Sequence, residues 1–175
     1  IAPKETKWPM VELGELIEPD FGVRITRSEN EGTKYPVYGG GGESFRTDSF
    51  NRNEDTVVVA RFAMSENCVR FVKAPFYLLD SGFTYHTKRP DVIKQYIDWL
   101  LLLRQDLVYS CARGQAQKNI DVKLFKSIKV PLPPIETQKK IVKAIEVEQA
   151  RIEENKKQID LHERKKKDSI IDVWE

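Results

Sequence analysis

Pro131-Leu-Pro-Pro-Ile-Glu-Thr-Gln138 divides the chain in two. Pro131, Pro133 and Pro134 cannot donate a backbone hydrogen bond, and they hold themselves and their predecessors in extended geometry. After Pro134 neither proline nor glycine occurs as far as Glu175. Lys, Glu, Gln, Ile and Arg take their place, which is the composition of a long helix. Thr137 or the Pro-Ile-Glu turn can start it, with Glu136 near its positive end. The break predicts a globular domain over residues 1–134 and a helix over 135–175.

The apolar residues of that helix are sparse and ordered. Ile145, Ile152 and Ile159 recur every seven residues, and Ile141 stands one turn before them. Such a step keeps them in one narrow row, as in a coiled-coil seam. The other seam position is poor, because it holds Glu148, Asn155 and His162. A helix of this kind cannot bury itself and is not stable alone. It either lies on its own domain by one stripe or pairs with another helix, in a partner chain or a neighbouring domain. Charges on both sides of the stripe favour pairing.

The 175 residues suffice for one domain with a core plus an appendage, and 40% hydrophobic with 32% charged residues is a globular composition. No apolar run is long enough for a membrane span and no secretory signal is present, so the expectation is a cytoplasmic protein without a membrane partner. The first residue is Ile1 and not Met, which reads as a piece of a longer chain. Cys68 and Cys111 form no Cys-x-x-Cys and only two histidines accompany them. That argues against a zinc site or a disulfide framework and predicts two buried thiols in a reducing compartment. A net charge of +2 neither demands nor excludes nucleic acid, since a local patch is what matters.

Along the chain, Trp8 to Leu13 reads as a short strand and Gly14 to Glu18 as a turn or two of helix stopped by Pro19. Gly22-Val-Arg-Ile-Thr26 reads as a strand. Tyr35-Pro-Val-Tyr38 then leads into Gly39, Gly40, Gly41 and Gly42, which permit positive φ and close backbone approach. No lysine and Ser/Thr follow in P-loop spacing, so a nucleotide loop is weakly supported. A tight turn between strands, or a loop approaching a DNA backbone, fits better, with Lys34, Arg46 and Arg52 nearby. Asp55 to Phe62 is β-branched and apolar, a strand buried on both faces. Arg61 at its end must reach a rim salt bridge, a phosphate or a base. Cys68 to Lys73, Phe76 to Leu79 and Phe83 to Lys88 continue the β pattern.

Pro90-Asp91 opens a helix predicted to run to about Val108, with a wide apolar face. The stretch Ser110 to Ile120 is polar and concentrates Arg113, Gln115, Gln117, Lys118 and Asn119. These side chains make paired hydrogen bonds to base edges or hold phosphates, or else form a polar loop that satisfies its own backbone. Asp121 to Ser127 reads as a short helix and Ile128 to Val130 as a last strand. No catalytic set emerges. Glu163-Arg-Lys165 has nuclease-like residues, but on a helix residues two apart do not face each other. Leu132-Pro-Pro-Ile135 has the wrong flanks for an adenine methyltransferase motif. The predicted class is a binding module with no catalytic residue, metal or cofactor.

Val11-x-Leu-Gly-Glu-Leu16, Tyr35 to Gly42, Val57-Val-Val-Ala-Arg61, Gly114-Gln-Ala-Gln-Lys-Asn-Ile120 and Ile128-x-Val-Pro-Leu-Pro-Pro-Ile-Glu-Thr-Gln138 together resemble one target-recognition unit of the specificity subunit (HsdS) of type I restriction–modification systems. The resemblance runs in order over nearly the whole chain. It implies an α+β fold: a mixed, β-rich target-recognition domain with a core helix, followed by a long C-terminal coiled-coil helix. It implies a non-catalytic protein that reads one half of a bipartite double-stranded DNA site. The implied partners are an adenine methyltransferase subunit and a motor–nuclease subunit. Family members carry two units in tandem and this chain carries one. It is therefore a half-subunit that homodimerises through its helix, a piece of a longer chain, or the recognition domain of a methyltransferase–endonuclease fusion. The alternative class is a structural assembly module that does not touch DNA.

On this reading the DNA-binding residues are Lys34, Gly39, Gly40, Gly41, Gly42, Arg61, Arg113, Gln115, Gln117, Lys118 and Asn119. Helix pairing falls to Ile141, Ile145, Ile152 and Ile159. Motifs shared by a family serve common architecture, so the base readers can instead be Arg24, Arg27, Arg46, Arg70 or Lys73.

Overall fold

A computed structural model of the chain describes residues 7–62, 64–115 and 117–171. The elements follow the alternation of β-branched runs and helical stretches. In order they are β1 (Met10–Glu12), α1 (Leu13–Leu16), β2 (Ile17–Phe21), α2 (Arg27–Asn30), β3 (Tyr35–Gly39), β4 (Gly42–Thr47), β5 (Thr56–Ala60), β6 (Val69–Val72), β7 (Tyr77–Leu78) and β8 (Gly82–Thr87). There follow α3 (Lys94–Leu103), α4 (Gln105–Tyr109), β9 (Ala112–Arg113), β10 (Asn119–Ile120), α5 (Val122–Lys126), β11 (Lys129–Pro131) and α6 (Ile135–Ile171). The fold is α+β. It divides into two compact units, one ending at Ile135 and the other beginning at Glu136.

All residues of β5 are buried, as its run of Val57, Val58 and Val59 requires of a central strand. It lies in a 4-stranded antiparallel sheet of order β2-β8-β5-β6. Phe83 of β8 is fully buried and meets the Phe125 ring edge-on at 5.3 Å, which brings α5 onto this sheet. A second, 3-stranded sheet has the order β4-β3-β7, with β3 and β7 parallel. Two short antiparallel pairs complete the unit: β9 with β10, and β1 with β11. The last pairing joins Met10 to Pro131 and Glu12 to Lys129.

Three expectations fail locally. Pro19 does not stop a helix. The turn already ends at Leu16, and Pro19 is part of β2, an edge strand that tolerates a residue with no N–H to give. Residues 22–26 are not a strand. The N–H groups of Gly22 and Val23 still donate to the carbonyls of Gly82 (3.1 Å) and Leu78 (2.9 Å), so the segment is tied down without a ladder of its own. The predicted core helix starts at Lys94, not at Pro90, and breaks at Arg104 (φ −123°, ψ 48°). Past the break, the Gln105 Oε1 accepts the Val69 N–H at 2.9 Å, a bond that fixes α4 on β6. The short helix at Asp121 forms as expected. The Asp121 carboxylate caps it by accepting the N–H groups of Lys123 and Leu124 at 2.9 and 3.1 Å.

The helix α3 is coupled to the sheet by a polar cluster. The Tyr85 hydroxyl donates to Asp98 Oδ1 at 2.6 Å, and Lys94 Nζ donates to the same carboxylate at 2.9 and 3.0 Å and to Thr56 Oγ1 at 2.9 Å. Burial, reinforced by the neighbouring Asp98 charge, pushes the Tyr85 phenol well above its ordinary range, so it remains a proton donor.

The second unit holds the helix α6 from Glu136 onward, and the whole helix is 37 residues long. Glu136–Lys139 and Glu148–Arg151 pair along it at 2.8 and 2.7 Å, exposed contacts each contributing a few tenths of a kcal/mol. Among the described residues no helix is long and apolar enough to cross a membrane.

Candidate nucleic-acid interface

β5 runs out of the sheet at Ala60 and delivers Arg61 to its end. The antiparallel register brings the start of β8 and the end of β2 to the same edge: Ala60 faces Gly82, and Phe83 lies between Val59 and Phe21. The Arg61 N–H donates to the Ser81 carbonyl at 2.8 Å, and the Arg61 carbonyl accepts the Ile120 N–H at 2.9 Å. Its guanidinium carbon stands 4.9 Å from the Phe21 ring centre and 4.7 Å from that of Phe62. One further bond, Nη1 to the Asp80 carbonyl at 3.4 Å, uses little of its donor capacity.

The glycine run is the turn between β3 and β4, with Gly39 opposite Gly42. Gly39 and Gly40 face the protein. The Gly40 N–H donates to Ser81 Oγ at 3.2 Å, and a Cβ at Gly40 would stand 2.6 Å from the Ser81 carbonyl oxygen. Gly41 has open space around it. Gly42 takes φ +123°, and a Cβ there would stand 2.9 Å from Arg70 Nη1. The glycines thus serve close approach within the domain, between Ser81 on one side and Arg70 on the other. Burial, and then the Glu43 carboxylate, raises the Tyr38 phenol in the adjoining strand, so Tyr38 stays neutral.

The polar stretch after α4 is a small hairpin and not an open loop, with Asn119 opposite Arg113 and Ile120 opposite Ala112. Gly114 takes φ +109° at its bend, where a Cβ would come within 2.2 Å of the Gln117 carbonyl oxygen. The Lys118 carbonyl accepts the Met64 N–H at 2.8 Å, which ties the hairpin to the segment that follows Arg61. The side chains of Gln115, Gln117 and Lys118 are exposed and have no partner among the described residues. Arg113 turns back on its own hairpin, donating to the carbonyls of Ser110 and Ala112 at 3.2 and 3.0 Å. Asn119 is half-buried.

The structure therefore brings together Arg61, the glycine turn and the hairpin of Arg113 to Asn119. It leaves out Lys34, which precedes β3 and so lies at the far end of that strand from the glycine turn. The alternative arginines separate as well. Arg27 is held by Glu31 at 2.7 Å, and Arg46 by the carbonyls of Thr33 and Lys34 at 2.9 and 2.6 Å. Arg24 is exposed and has no partner among the described residues, and it follows directly on the segment tied to Gly82 and Leu78. Phe21, Asp80 and Ser81 belong to the assembly and carry no sequence signal, because only tertiary pairing places them against Arg61. On α6, Ile141 and Ile145 occupy the first turns, and Ile152 and Ile159 further along are 46% and 57% exposed. No group of His, Cys, Asp or Glu among the described residues is arranged to hold a metal ion.

Residues 5–162 match the family described as the type I restriction modification DNA specificity domain. The specificity subunit of the type I restriction enzyme MjaVIII from Methanocaldococcus jannaschii is 38% identical over 50 residues, which are 29% of this chain and 12% of that protein. The S subunit of a type I restriction–modification system from M. genitalium superimposes with a TM-score of 0.73 at 22% identity, over 87% of this chain and 42% of its own. The HsdS subunit from Thermoanaerobacter tengcongensis gives 0.59 at 18% identity, over 86% and 39%. At these identities the structural likeness is one of fold. The chain spans about two-fifths of the length of these solved relatives.

Proposed function

The chain belongs to the type I restriction modification DNA specificity domain family, and we propose that it is a non-catalytic reader of double-stranded DNA in a restriction–modification complex. It reads one half of a bipartite site with the sheet end around Arg61. Its helix α6 pairs with a second helix and docks an adenine methyltransferase subunit. If two copies pair about a two-fold axis, the site is an interrupted palindrome, because protein symmetry is mirrored in the DNA.

The observation that supports this reading is the meeting of separate stretches at one end of a sheet. The glycine turn, Arg61 and the β9–β10 hairpin converge there through backbone bonds, while Arg24, Gln115, Gln117 and Lys118 keep their side-chain donors unused. A rigid scaffold that leaves cations and amides unpaired at one edge suits phosphate contacts for affinity and base-edge contacts for specificity. The exposed Ile152 and Ile159 support helix pairing, since a sparse apolar row on a charged helix gains stability only against another surface.

Selection from a randomised duplex library, with the chain alone and with a methyltransferase subunit added, tests the proposal. An inverted motif with a fixed gap indicates a self-paired half-subunit, and a single short motif indicates one recognition unit. Enrichment only with the methyltransferase indicates that docking precedes reading. No enrichment under either condition overturns the proposal in favour of a structural assembly module. With Arg24 and Lys118 as phosphate contacts and Arg61 as a base reader, log K should fall with log salt with a slope of about −2.

A further inference from the structure

The segment Phe21-Gly22-Val23-Arg24 lies at the edge occupied by Arg61, and it has the build of a probe rather than of a loop. Its backbone is fixed by the bonds from Gly22 to Gly82 (3.1 Å) and from Val23 to Leu78 (2.9 Å). At Gly22 it lies flush on the chain beneath, where a Cβ would come within 2.2 Å of the Leu79 carbonyl oxygen and 2.5 Å of that of Leu78. On this fixed support two apolar side chains remain in water, Phe21 at 38% and Val23 at 56% exposure. Cations flank them. The Arg61 guanidinium lies 4.9 Å from the Phe21 ring, and Arg24, next in sequence, has no partner among the described residues.

A single exposed valine is ordinary. A rigidly held apolar pair between two arginines at the edge proposed to meet DNA calls for a ligand that is apolar at its centre and anionic around it. In the major groove the thymine 5-methyl is the apolar group on the base edges, and phosphates flank the groove on both sides. We propose that Val23, supported by Phe21, reads a thymine methyl group, and that this edge of the domain therefore enters the major groove. Arg24 contacts the adjoining phosphate, and the Gly22 contact keeps the strip at fixed depth. The inference rests on the DNA-reading proposal above and deepens it.

The test is binding of the full chain to its selected duplex, measured by fluorescence anisotropy, with each thymine in turn replaced by deoxyuridine. That replacement removes the methyl and keeps the base pair. Wild-type protein should lose about fourfold in affinity at one or two positions, the value of one buried methyl group. Val23→Ala should bind the thymine duplex about as weakly as wild type binds the uracil duplex, and should not respond to the replacement. Val23→Thr keeps the branched shape and should retain part of the response, a check that does not depend on the alanine variant folding equally well. Arg24→Gln should weaken binding and leave the methyl response intact. A selected site without thymine, a wild-type affinity indifferent to every replacement, or an undiminished response in Val23→Ala each overturns this inference and leaves the DNA-reading proposal standing. A chain that binds no duplex, alone or with a methyltransferase subunit, overturns both.

Discussion

The Arg61 guanidinium stands 4.9 Å from the ring centre of Phe21, a residue from a different strand, and 4.7 Å from that of Phe62. Two aromatic rings restrict an otherwise flexible cation and leave most of its donors for a partner. Each such contact contributes about 0.5–1 kcal/mol, more when water is excluded. Arg61→Ala should cost about 1–3 kcal/mol of binding to the selected duplex and relax preference at one base pair. Phe21→Leu keeps the bulk and loses the ring face. It should give a smaller loss in the same direction, with no change in the preferred sequence. Equal affinity of Arg61→Ala and wild type in a titration would remove Arg61 from the interface.

The glycines of the β3–β4 turn are not equivalent. A methyl group at Gly41 meets nothing within 4 Å, whereas at Gly40 it meets the Ser81 carbonyl oxygen at 2.6 Å. Gly41→Ala should leave stability within about 0.5 kcal/mol of wild type in urea titration. Gly40→Ala should cost about 1–3 kcal/mol, because backbone must move to admit it. Gly114→Ala combines a φ of +109° with a 2.2 Å contact to the Gln117 carbonyl oxygen. It should deform the β9–β10 hairpin and lower DNA affinity together with stability.

Ile152 and Ile159 are exposed on the charged helix α6. Ile152→Asp with Ile159→Asp should abolish association through α6 and leave the melting of the recognition unit unchanged. Sedimentation velocity reads the first effect and thermal denaturation the second. A double variant that associates as wild type would show that the isoleucine row is not the seam.

Glu18 of β2 bonds Lys126 of α5 at 2.7 Å, and this hydrogen bond holds the Glu18 carboxyl below its usual value of 4.5. A depressed folded-state pKa gives stability that is fully present above the ordinary carboxylate range and is lost as pH falls through the folded value. Stability should therefore be level near neutrality and decline below about pH 4.5. Glu18→Gln should show a shallower decline in urea midpoints measured across that window. A decline as steep as that of wild type would assign the acid lability to other groups.

Burial pushes the Cys68 thiol up to about 11, and it raises Cys111 as well. At pH 8 about one Cys68 in a thousand is a thiolate. Iodoacetamide should modify neither cysteine in the native chain over minutes and both in urea, by mass spectrometry. Rapid native labelling of Cys68 would mean that the segment around β6 opens readily.

Much of this architecture could be read along the chain. The Val57 to Val59 run read as a buried strand, Asp121 to Ser127 read as a short helix, and the loss of proline and glycine after Pro134 marked α6. The failures share one cause, a local signal outvoted by long-range pairing. Pro19 reads as a breaker until β8 makes β2 an edge strand, where its missing N–H costs nothing. The apolar period continues through Leu107, yet the helix breaks at Arg104, and Gln105 just past the break bonds Val69 of β6. At the proposed interface the sequence shows Arg61 and the residue beside it, Phe62. It does not show Phe21, whose approach depends on a strand register. Lys34 is adjacent to the glycine run by sequence number, but an extended strand separates it from the turn.

The pairing of Met10–Glu12 with Lys129–Pro131 stitches the entrance of the recognition unit to its exit. Every residue proposed above to touch DNA lies on the stretch of chain between these two strands. Such a unit is portable. Exchange of the one contiguous stretch of coding sequence that encodes it would replace a whole set of base contacts in a single step, while the points where the chain enters and leaves stay in place. Change one residue at a time is harder at Gly40, where any side chain would meet the Ser81 carbonyl oxygen at 2.6 Å.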